Sequence, residues 1–218
     1  MEDKRDTYLQ KGKRRILVEY LRDSVGITDE AVLHAINTVP RHLFIESIFE
    51  DYAYEDRAFP IASGQTISHP STVAEQTELL QIAPGDKILE IGTGCGYQTA
   101  VLITLKAKVY TIERQKELYD FSKKMFKKLR LFPLFQSFGD GFEGLPSFAP
   151  FDKIIVTCGA EVLPKPLLRQ LNIGGKLVIP IAQGSEHILY RFTKIEEDRF
   201  EREEFGLYKF VPMLKDTN

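Results

Sequence analysis

Apolar residues in the first part of the chain recur at the spacing of an α-helix. Over residues 14–22 they fall on one helical face, and a second apolar stripe covers residues 32–39. Thr28 stands before the second stripe, where a threonine commonly caps a helix N-terminus, and Pro40 ends the stripe. The pattern therefore predicts two helices, the second of them capped by Thr28.

Residues 41–65 lose this periodicity and are rich in aromatic side chains, among them Phe44 and Phe59. We expect an irregular segment with so many large apolar groups to bury them against another part of the molecule. Residues 1–72 are accordingly predicted to form an N-terminal helical cap. Residues 73–218 are predicted to form the main domain, and the two parts are expected to make one compact unit.

From residue 73 onward, short apolar runs alternate with amphipathic runs. The apolar runs predict strands at residues 87–91, 109–112, 134–137, 154–156 and 176–179. The amphipathic runs predict helices at residues 73–81, 97–105, 118–129 and 166–171. Strands that alternate with helices indicate a parallel sheet that is covered on both faces.

After Pro180 the helical pattern fades, and residues 187–194 and 202–210 read as two strands joined by a charged loop. Strands this close in sequence favour an antiparallel hairpin at the edge of the sheet. The predicted fold class is α/β, with a doubly wound, mostly parallel, seven-stranded Rossmann-like sheet. An antiparallel C-terminal edge and the N-terminal helical cap complete it.

The composition argues against several classes of protein. The chain has 218 residues, of which 43% are hydrophobic, enough for one large domain. A net charge of −2 does not favour nucleic acid as a partner, and no apolar run approaches the roughly 20 residues that span a bilayer. The polar start of the chain lacks the apolar stretch of a signal peptide. The two cysteines, Cys95 and Cys158, show no metal-like spacing, so we expect a cytoplasmic protein without a metal. We also expect a monomer.

A glycine-rich turn follows the first predicted strand of the main domain. Residues 89–97 read Leu-Glu-Ile-Gly-Thr-Gly-Cys-Gly-Tyr and open a helix. Gly92 and Gly94 allow a tight turn and a close approach of the backbone to a ligand. A dinucleotide fingerprint would place its third glycine at the position of Tyr97, whereas here it is Gly96. The spacing favours a ligand without a pyrophosphate, whose amino acid moiety is held by the loop.

Two acidic residues stand at the ends of the next strands. Glu113 ends the second strand about 20 residues after the glycine loop, the distance at which a carboxylate binds ribose hydroxyls. Asp140 lies in a Gly-Asp-Gly turn after the third strand, where it could accept a hydrogen bond from an adenine amino group. Each feature alone is often only a turn. Their order along one sheet predicts a nucleoside-containing cofactor.

These residues resemble the motifs of the class I S-adenosylmethionine methyltransferases. Residues 60–68 read Pro-Ile-Ala-Ser-Gly-Gln-Thr-Ile-Ser and resemble the signature loop of the protein-L-isoaspartate O-methyltransferase family. The resemblance continues through residues 88–102, 139–141, 149–157, 170–180 and 210–212. It implies methyl transfer from S-adenosylmethionine to the α-carboxylate of L-isoaspartyl residues in damaged proteins or peptides, which starts repair through a succinimide.

The resemblance also implies roles for particular residues. Ser68 is the implied catalytic residue. The implied substrate-binding residues are Gln65, Thr66, Ile67 and Ser68. The implied cofactor-binding residues are Ile67, Glu90, Gly92, Thr93, Gly94, Gly96, Glu113, Arg114, Asp140 and Gly141. Many relatives have a histidine where this chain has Ser71, so the role of that histidine is not carried over.

The implied reaction suits the residues. A carboxylate is already ionised at neutral pH and needs no strong base, and the sequence offers no nucleophile–histidine–acid constellation. We therefore expect the Ser68 hydroxyl to orient the acceptor carboxylate by a hydrogen bond.

Three other functions remain as alternatives. One is a class I methyltransferase with a different acceptor, although residues 157–160 lack the Asn/Asp-Pro-Pro-aromatic turn typical of amino-group methylation. A nicotinamide-dependent oxidoreductase is disfavoured by the glycine spacing and by the missing Tyr-x-x-x-Lys motif. A cofactor-binding module without catalysis stays open, because a binding loop does not prove turnover.

Overall fold

The computed structural model describes residues 6–218. Residues 1–5, on which part of the signal-peptide prediction rests, lie outside the described residues. The N-terminal part begins with helix α1 (Tyr8–Tyr20), which continues into a π-helical turn (Leu21–Val25). Helix α2 (Glu30–Thr38) follows. The two predicted helices therefore exist, with the first starting earlier than its apolar stripe indicated.

The predicted cap of α2 is wrong by one residue. Asp29, not Thr28, is the N-cap, and its Oδ1 accepts hydrogen bonds from the N–H groups of Ala31 at 2.8 Å and Val32 at 3.2 Å. Thr28 instead donates its N–H to the carboxylate of Glu78 at 2.7 Å. Both residue types cap helices well. Here the Thr28 hydroxyl also donates to Glu78, at 3.1 Å, and the Asp29 carboxylate is the capping group.

Residues 41–67 form short, closely packed elements. Two 3-10 helices, Arg41–Phe44 and Ser47–Tyr52, precede a small hairpin of strands β1 (Phe59–Pro60) and β2 (Thr66–Ile67). Phe59 pairs with Ile67 across this hairpin. The aromatic segment is therefore ordered rather than a simple connection.

The main sheet has seven strands in the order β5-β4-β3-β6-β7-β8-β9. Its strands are β3 (Lys87–Ile91), β4 (Lys108–Glu113), β5 (Phe135–Phe138), β6 (Phe151–Val156), β7 (Leu171–Gln183), β8 (Glu186–Glu196) and β9 (Arg199–Tyr208). The helices of this part are α3 (Pro70–Leu80), α4 (Tyr97–Thr104), α5 (Lys116–Leu129) and α6 (Lys165–Arg169). Strands β3 to β7 are parallel, and β8 and β9 add antiparallel pairs. The predicted α/β fold with an antiparallel C-terminal edge is confirmed.

The strand order reverses beside β3. From β3 the chain moves outward to β4 and β5, and it then returns to the other side of β3 to form β6. In open α/β sheets, ligands bind in the crevice at such a reversal, beyond the carboxyl ends of the strands. The fold therefore predicts a site above Ile91 and Val156, the last residues of β3 and β6.

The N-terminal part shares a hydrophobic core with the helix that follows the glycine loop. Ile36 of α2 and Phe44 are fully buried in one cluster with Tyr97 and Val101 of α4. The rings of Phe44 and Tyr97 meet edge to face with their centroids 5.5 Å apart. Packing of the N-terminal segment thus fixes α4, and with it the glycine loop at its N-terminus. Among the helices of residues 6–218, none is both long and apolar enough to cross a bilayer.

Candidate active site

A cleft of about 900 Å³, counted with its open mouth, lies at the predicted reversal of the sheet. Its walls come from the acceptor loop (residues 65–68), the glycine loop after β3, the end of β4 and a C-terminal segment at residues 211–214. Gly141 and the turn after β6 close the remaining side. Motifs that are far apart in the sequence therefore meet in one space.

The glycine loop is held tightly against the neighbouring strands. The N–H groups of Gly92 and Thr93 both donate to the Ile112 carbonyl, at 2.9 and 3.1 Å. Gly92 has φ 93°. A Cβ at this position would lie 2.6 Å from Oγ1 of Thr157, whose hydroxyl donates to the Gly92 carbonyl at 2.7 Å. Only glycine fits here, because both the backbone angle and the space exclude a side chain.

Gly96, at the end of the glycine loop, packs closely against α5. It has φ 92° at the N-cap of α4, and a Cβ there would lie 2.7 Å from the Phe126 ring of α5. Gly94 lines the cleft, while Gly96 is not part of the wall. The structure therefore brings Gly92, Thr93 and Gly94 to the cleft, and uses Gly96 for close helix packing.

Glu113 joins the glycine loop to the end of β4. Its Oε2 accepts the Gly94 N–H and its Oε1 accepts the Gln115 N–H, both at 2.8 Å. The side chain is on the cleft wall, and burial raises the pKa of Glu113 above its ordinary value. Each carboxylate oxygen has a second lone pair, so the group can still accept from a diol. Arg114 also lines the cleft, with Nε bonded to the Asp216 carbonyl at 2.7 Å.

Glu90 lies beneath the loop rather than in the cleft wall. Its side chain is fully buried and accepts a hydrogen bond from the Thr99 hydroxyl at 2.5 Å. Burial raises the pKa of Glu90 to about 8, so the group is mainly protonated at neutral pH. A direct bond between Glu90 and a ligand in the cleft is not part of this geometry.

In the Gly-Asp-Gly turn, Gly141 and Asp140 have different positions relative to the cleft. Gly141 lines the cleft, and a Cβ there would collide with Ile91. Asp140 is outside the wall, with Oδ1 bonded to the Phe142 N–H at 2.8 Å and Oδ2 to the Asp216 N–H at 3.0 Å. Asp140 therefore ties its own turn to the C-terminal segment.

The four predicted substrate residues all line the cleft: Gln65, Thr66, Ile67 and Ser68. The loop is shaped by the β1–β2 hairpin, in which the Ile61 N–H donates to the Gln65 carbonyl at 2.9 Å. The Ser63 hydroxyl at the hairpin tip donates to Glu117 of α5 at 2.9 Å. The hairpin is thus attached at its tip to the helix that follows β4.

Ser68 is not used to cap α3. The N-cap of that helix is His69, which makes no side-chain capping bond, and the Ser71 N–H donates instead to Asp56 at 2.9 Å. Ser68 is half-buried, and its carbonyl accepts a hydrogen bond from Arg41 Nη2 at 2.7 Å. The main chain of Ser68 is therefore fixed at a residue that lines the cleft.

Sequence reasoning missed the contribution of the C-terminal segment to the cleft. Gly159 and this segment exchange two main-chain bonds, from the Gly159 N–H to the Val211 carbonyl at 2.8 Å and from the Met213 N–H to the Gly159 carbonyl at 2.7 Å. The only signal was the resemblance at residues 210–212, which assigned no role. Cys158 is also on the wall, and burial raises its pKa to about 12, so its thiol stays protonated.

The fold and the cleft together define a class. A doubly wound sheet has a glycine turn after β3, a carboxylate at the end of β4 and a ligand cleft at the sheet reversal. This arrangement is that of a class I methyltransferase.

Comparison with known proteins gives the particular family. The family model for protein-L-isoaspartate(D-aspartate) O-methyltransferase (PCMT) matches residues 12–218. Proteins named protein-L-isoaspartate O-methyltransferase from Christiangramia forsetii and Flavobacterium johnsoniae are 54% and 55% identical, each over 98% of this chain and 100% of its own length. A Plasmodium falciparum structure of that name, solved with S-adenosyl-L-homocysteine, aligns with a TM-score of 0.82 at 28% identity, over 93% of this chain and 99% of the other.

The chain belongs to the protein-L-isoaspartate(D-aspartate) O-methyltransferase family. Its function is the S-adenosylmethionine-dependent methylation of L-isoaspartyl residues, and its protein substrates are those that contain such residues.

Proposed function

We propose that this cleft aligns the acceptor carboxylate of an isoaspartyl residue with the methyl group of S-adenosylmethionine, and that Ser68 orients the carboxylate. The observation that supports this proposal is the meeting of two sequence motifs in one space. The acceptor loop and the glycine loop line the same cleft.

One half of the cleft is lined by residues that are proposed to bind the cofactor. S-adenosylmethionine supplies, when bound, a methyl group on a cationic sulfonium. Glu113 is proposed to accept hydrogen bonds from ribose hydroxyls, and Gly92, Gly94 and Gly141, which also line the cleft, are proposed to contact the cofactor through their main chains. The remaining proposed contacts are Ile67, Thr93 and Arg114, which also line the cleft.

Three of the predicted cofactor residues are proposed to act from outside the wall. Glu90 and Gly96 hold the glycine loop from beneath and behind. Asp140 orders the turn that carries Gly141, and this turn is proposed to form the part of the cleft that takes the adenine. Their substitution is expected to weaken cofactor binding through the loops rather than through a lost direct bond.

In the other half of the cleft, the acceptor carboxylate has to be oriented rather than activated. A carboxylate with an ordinary pKa near 4 is ionised at neutral pH, so no residue has to remove a proton. A hydrogen bond from the Ser68 hydroxyl would hold one oxygen, and Gln65 and Thr66 are proposed to contact the peptide around it. Alignment of the reacting groups can lower a barrier by about 7–11 kcal/mol. The methyl ester that results cyclises to a succinimide without further help from the enzyme.

The activity test compares matched acceptors. The protein is incubated with methyl-labelled S-adenosylmethionine and either an isoaspartyl peptide or its normal aspartyl counterpart, and base-labile methyl ester is counted. Label on the isoaspartyl peptide alone supports the proposal. Label on neither peptide, with cofactor binding seen by calorimetry, would favour a different acceptor or a module without catalysis.

The Ser68 variant tests the assigned role. Ser68→Ala is expected to lower kcat about 100-fold, because it removes a hydrogen bond to a charged group at the reacting centre. The dissociation constant for S-adenosylmethionine is expected to change by less than about threefold. Equal losses of turnover and cofactor affinity would contradict the assignment.

We also propose that residues 1–72 and 73–218 fold as one unit and act as a cytoplasmic monomer, without nucleic acid as a partner. The core shared by Phe44 and Tyr97 supports a single unit. The free thiols of Cys95 and Cys158 fit a reducing compartment. A single thermal transition and a monomer mass in sedimentation would support this proposal, and two transitions would contradict it.

A further inference from the structure

A fully buried arginine lies behind the acceptor loop. Arg41 begins the 3-10 helix that follows α2, and its side chain has no exposed surface. Its Nε donates to the Ala53 carbonyl at 3.0 Å. Its Nη2 donates to the carbonyls of Arg57 at 3.3 Å and Ser68 at 2.7 Å. One guanidinium thus joins three separate positions of the irregular segment.

The same guanidinium also contacts the cofactor side of the molecule. Its central carbon lies 4.9 Å from the centroid of the Tyr97 ring, and Tyr97 is the first residue of α4, directly after the glycine loop. A cation over an aromatic face is attracted to it. Arg41 therefore lies between the main chain of Ser68 and the helix that carries the glycine loop.

A second polar contact holds the other end of this short stretch. Asp56 accepts the Ser71 N–H at 2.9 Å, three residues beyond the Ser68 carbonyl that Arg41 holds. The main chain around His69 and Pro70 is thus fixed on both sides. Ser68 itself lines the cleft.

Burial of an arginine is costly unless its charge is compensated. The other buried arginine of this region, Arg14, forms an ion pair with Asp6 at 2.9 Å and donates to the Tyr54 hydroxyl at 3.2 Å. Arg41 is held instead by main-chain carbonyls and a ring. Burial lowers the pKa of Arg41, which marks the cost of keeping it there.

We propose that Arg41 is a positioning residue, which fixes the Ser68 main chain relative to α4 so that the serine hydroxyl meets the acceptor carboxylate. The inference rests on the proposed role of Ser68. Arg41 acts through Ser68 and has no place on the cleft wall. Because a displacement of about 1 Å can cost about 100-fold in rate, loss of this anchor should lower turnover.

The first experiment compares two matched substitutions. Arg41→Lys keeps the charge but loses the planar fork that reaches several carbonyls at once. Arg14→Lys makes the same change at a buried site that does not contact the acceptor loop. We expect Arg41→Lys to lower kcat for an isoaspartyl peptide about tenfold, with cofactor affinity within about threefold of wild type. We expect Arg14→Lys to lower the melting temperature but to keep kcat within about twofold.

The second experiment tests whether Arg41 acts through Ser68. In the double variant Arg41→Lys/Ser68→Ala, kcat is expected to equal that of Ser68→Ala alone, because the anchored hydroxyl is already gone. Cofactor binding at wild-type stoichiometry serves as the criterion of correct folding. If Arg41→Lys fails that criterion, Arg41→Gln takes its place in both experiments.

The outcomes separate the two proposals. A wild-type kcat for Ser68→Ala would overturn the role of Ser68 and the inference with it. A large loss for Ser68→Ala would sustain the role of Ser68. The Arg41 inference alone would then be overturned by a wild-type kcat for Arg41→Lys, by an equal loss for Arg14→Lys, or by losses that multiply in the double variant.

Discussion

The two sides of the cleft are held in place by different kinds of interaction. On the cofactor side, main-chain bonds from Gly92 and Thr93 to Ile112 continue the register of the parallel sheet. On the acceptor side, Thr66 and Ile67 belong to the small β1–β2 hairpin, and the Ser68 carbonyl that follows is held by the Arg41 side chain. The glycine loop is therefore bonded to the main seven-stranded sheet, whereas the acceptor loop depends on a two-stranded hairpin and a few polar groups.

This difference indicates where each side is sensitive to change. The cofactor side tolerates few additions at Gly92, Gly96 and Gly141, because a Cβ at each would overlap a neighbouring side chain. The acceptor side should tolerate changes at its exposed tip. Substitutions at three positions, taken from the largest expected effect to the smallest, test this contrast.

Gly92→Ala should have the largest effect. It forces an alanine into φ 93° and places a Cβ 2.6 Å from Thr157 Oγ1. Backbone strain and overpacking together should lower the free energy of unfolding by about 3 kcal/mol. Gly85→Ala is the matched control, since Gly85 has φ 92° with open space around it, and it should cost only about 1–2 kcal/mol. If chemical denaturation gave equal losses of unfolding free energy for the two variants, the close packing of Gly92 against Thr157 would not contribute to stability.

Glu90→Gln should change how stability depends on pH. The pKa of Glu90 rises from 4.5 to about 8 on burial, so between these values the folded protein binds a proton that the unfolded chain releases. Stability of the wild type should therefore fall as pH rises through this window. Because glutamine cannot ionise, the variant should lose part of that slope, and the remainder includes Glu113, whose pKa is also raised.

Urea denaturation at several pH values measures this effect. Glu201→Gln, at an exposed position of β9, is the control and should keep the wild-type slope. A Glu90→Gln protein with an unchanged slope would mean that the carboxyl beneath the glycine loop stays charged.

Substitutions at Ser63, at the tip of the β1–β2 hairpin, should have the smallest effect on stability. Ser63→Ala removes the hydrogen bond to Glu117 and should cost about 1 kcal/mol. Ser63→Gly loses the same bond but relieves the φ of 58°, so it should be more stable than the alanine variant. Thermal unfolding of both proteins provides the test. A loss from Ser63→Ala as large as that from Gly92→Ala would remove the contrast between the two sides.

The sequence was most informative where local pattern and sheet topology agree. The glycine loop and Glu113 stand at strand ends, and parallel strands bring such ends together, so their meeting could be predicted. The acceptor residues, by contrast, were known only by resemblance, since nothing in the spacing of Gln65 and Ser68 places them beside the glycine loop.

Long-range contacts explain what was not predicted. Asp29 caps α2, while the Thr28 hydroxyl donates to Glu78 of a later helix, a contact that the local pattern does not contain. Arg41 reads as an ordinary polar residue after Pro40, and only the fold shows that three carbonyls surround it. Charged residues are rarely fully buried, so sequence patterns favour the surface for such a position.

Because the ribosome makes a chain from its N-terminus, the C-terminal wall of the cleft is the last part of the cleft to be made. Residues 211–214 follow every other lining residue in the sequence, and they join the cleft through Gly159. A nascent chain that has emerged only as far as β9 carries the hairpin, the glycine loop and Glu113, yet one side of its cleft is open to solvent. A ligand stabilises only the state that binds it. The cofactor should therefore protect the finished protein from proteolysis far better than it protects a chain still held by the ribosome.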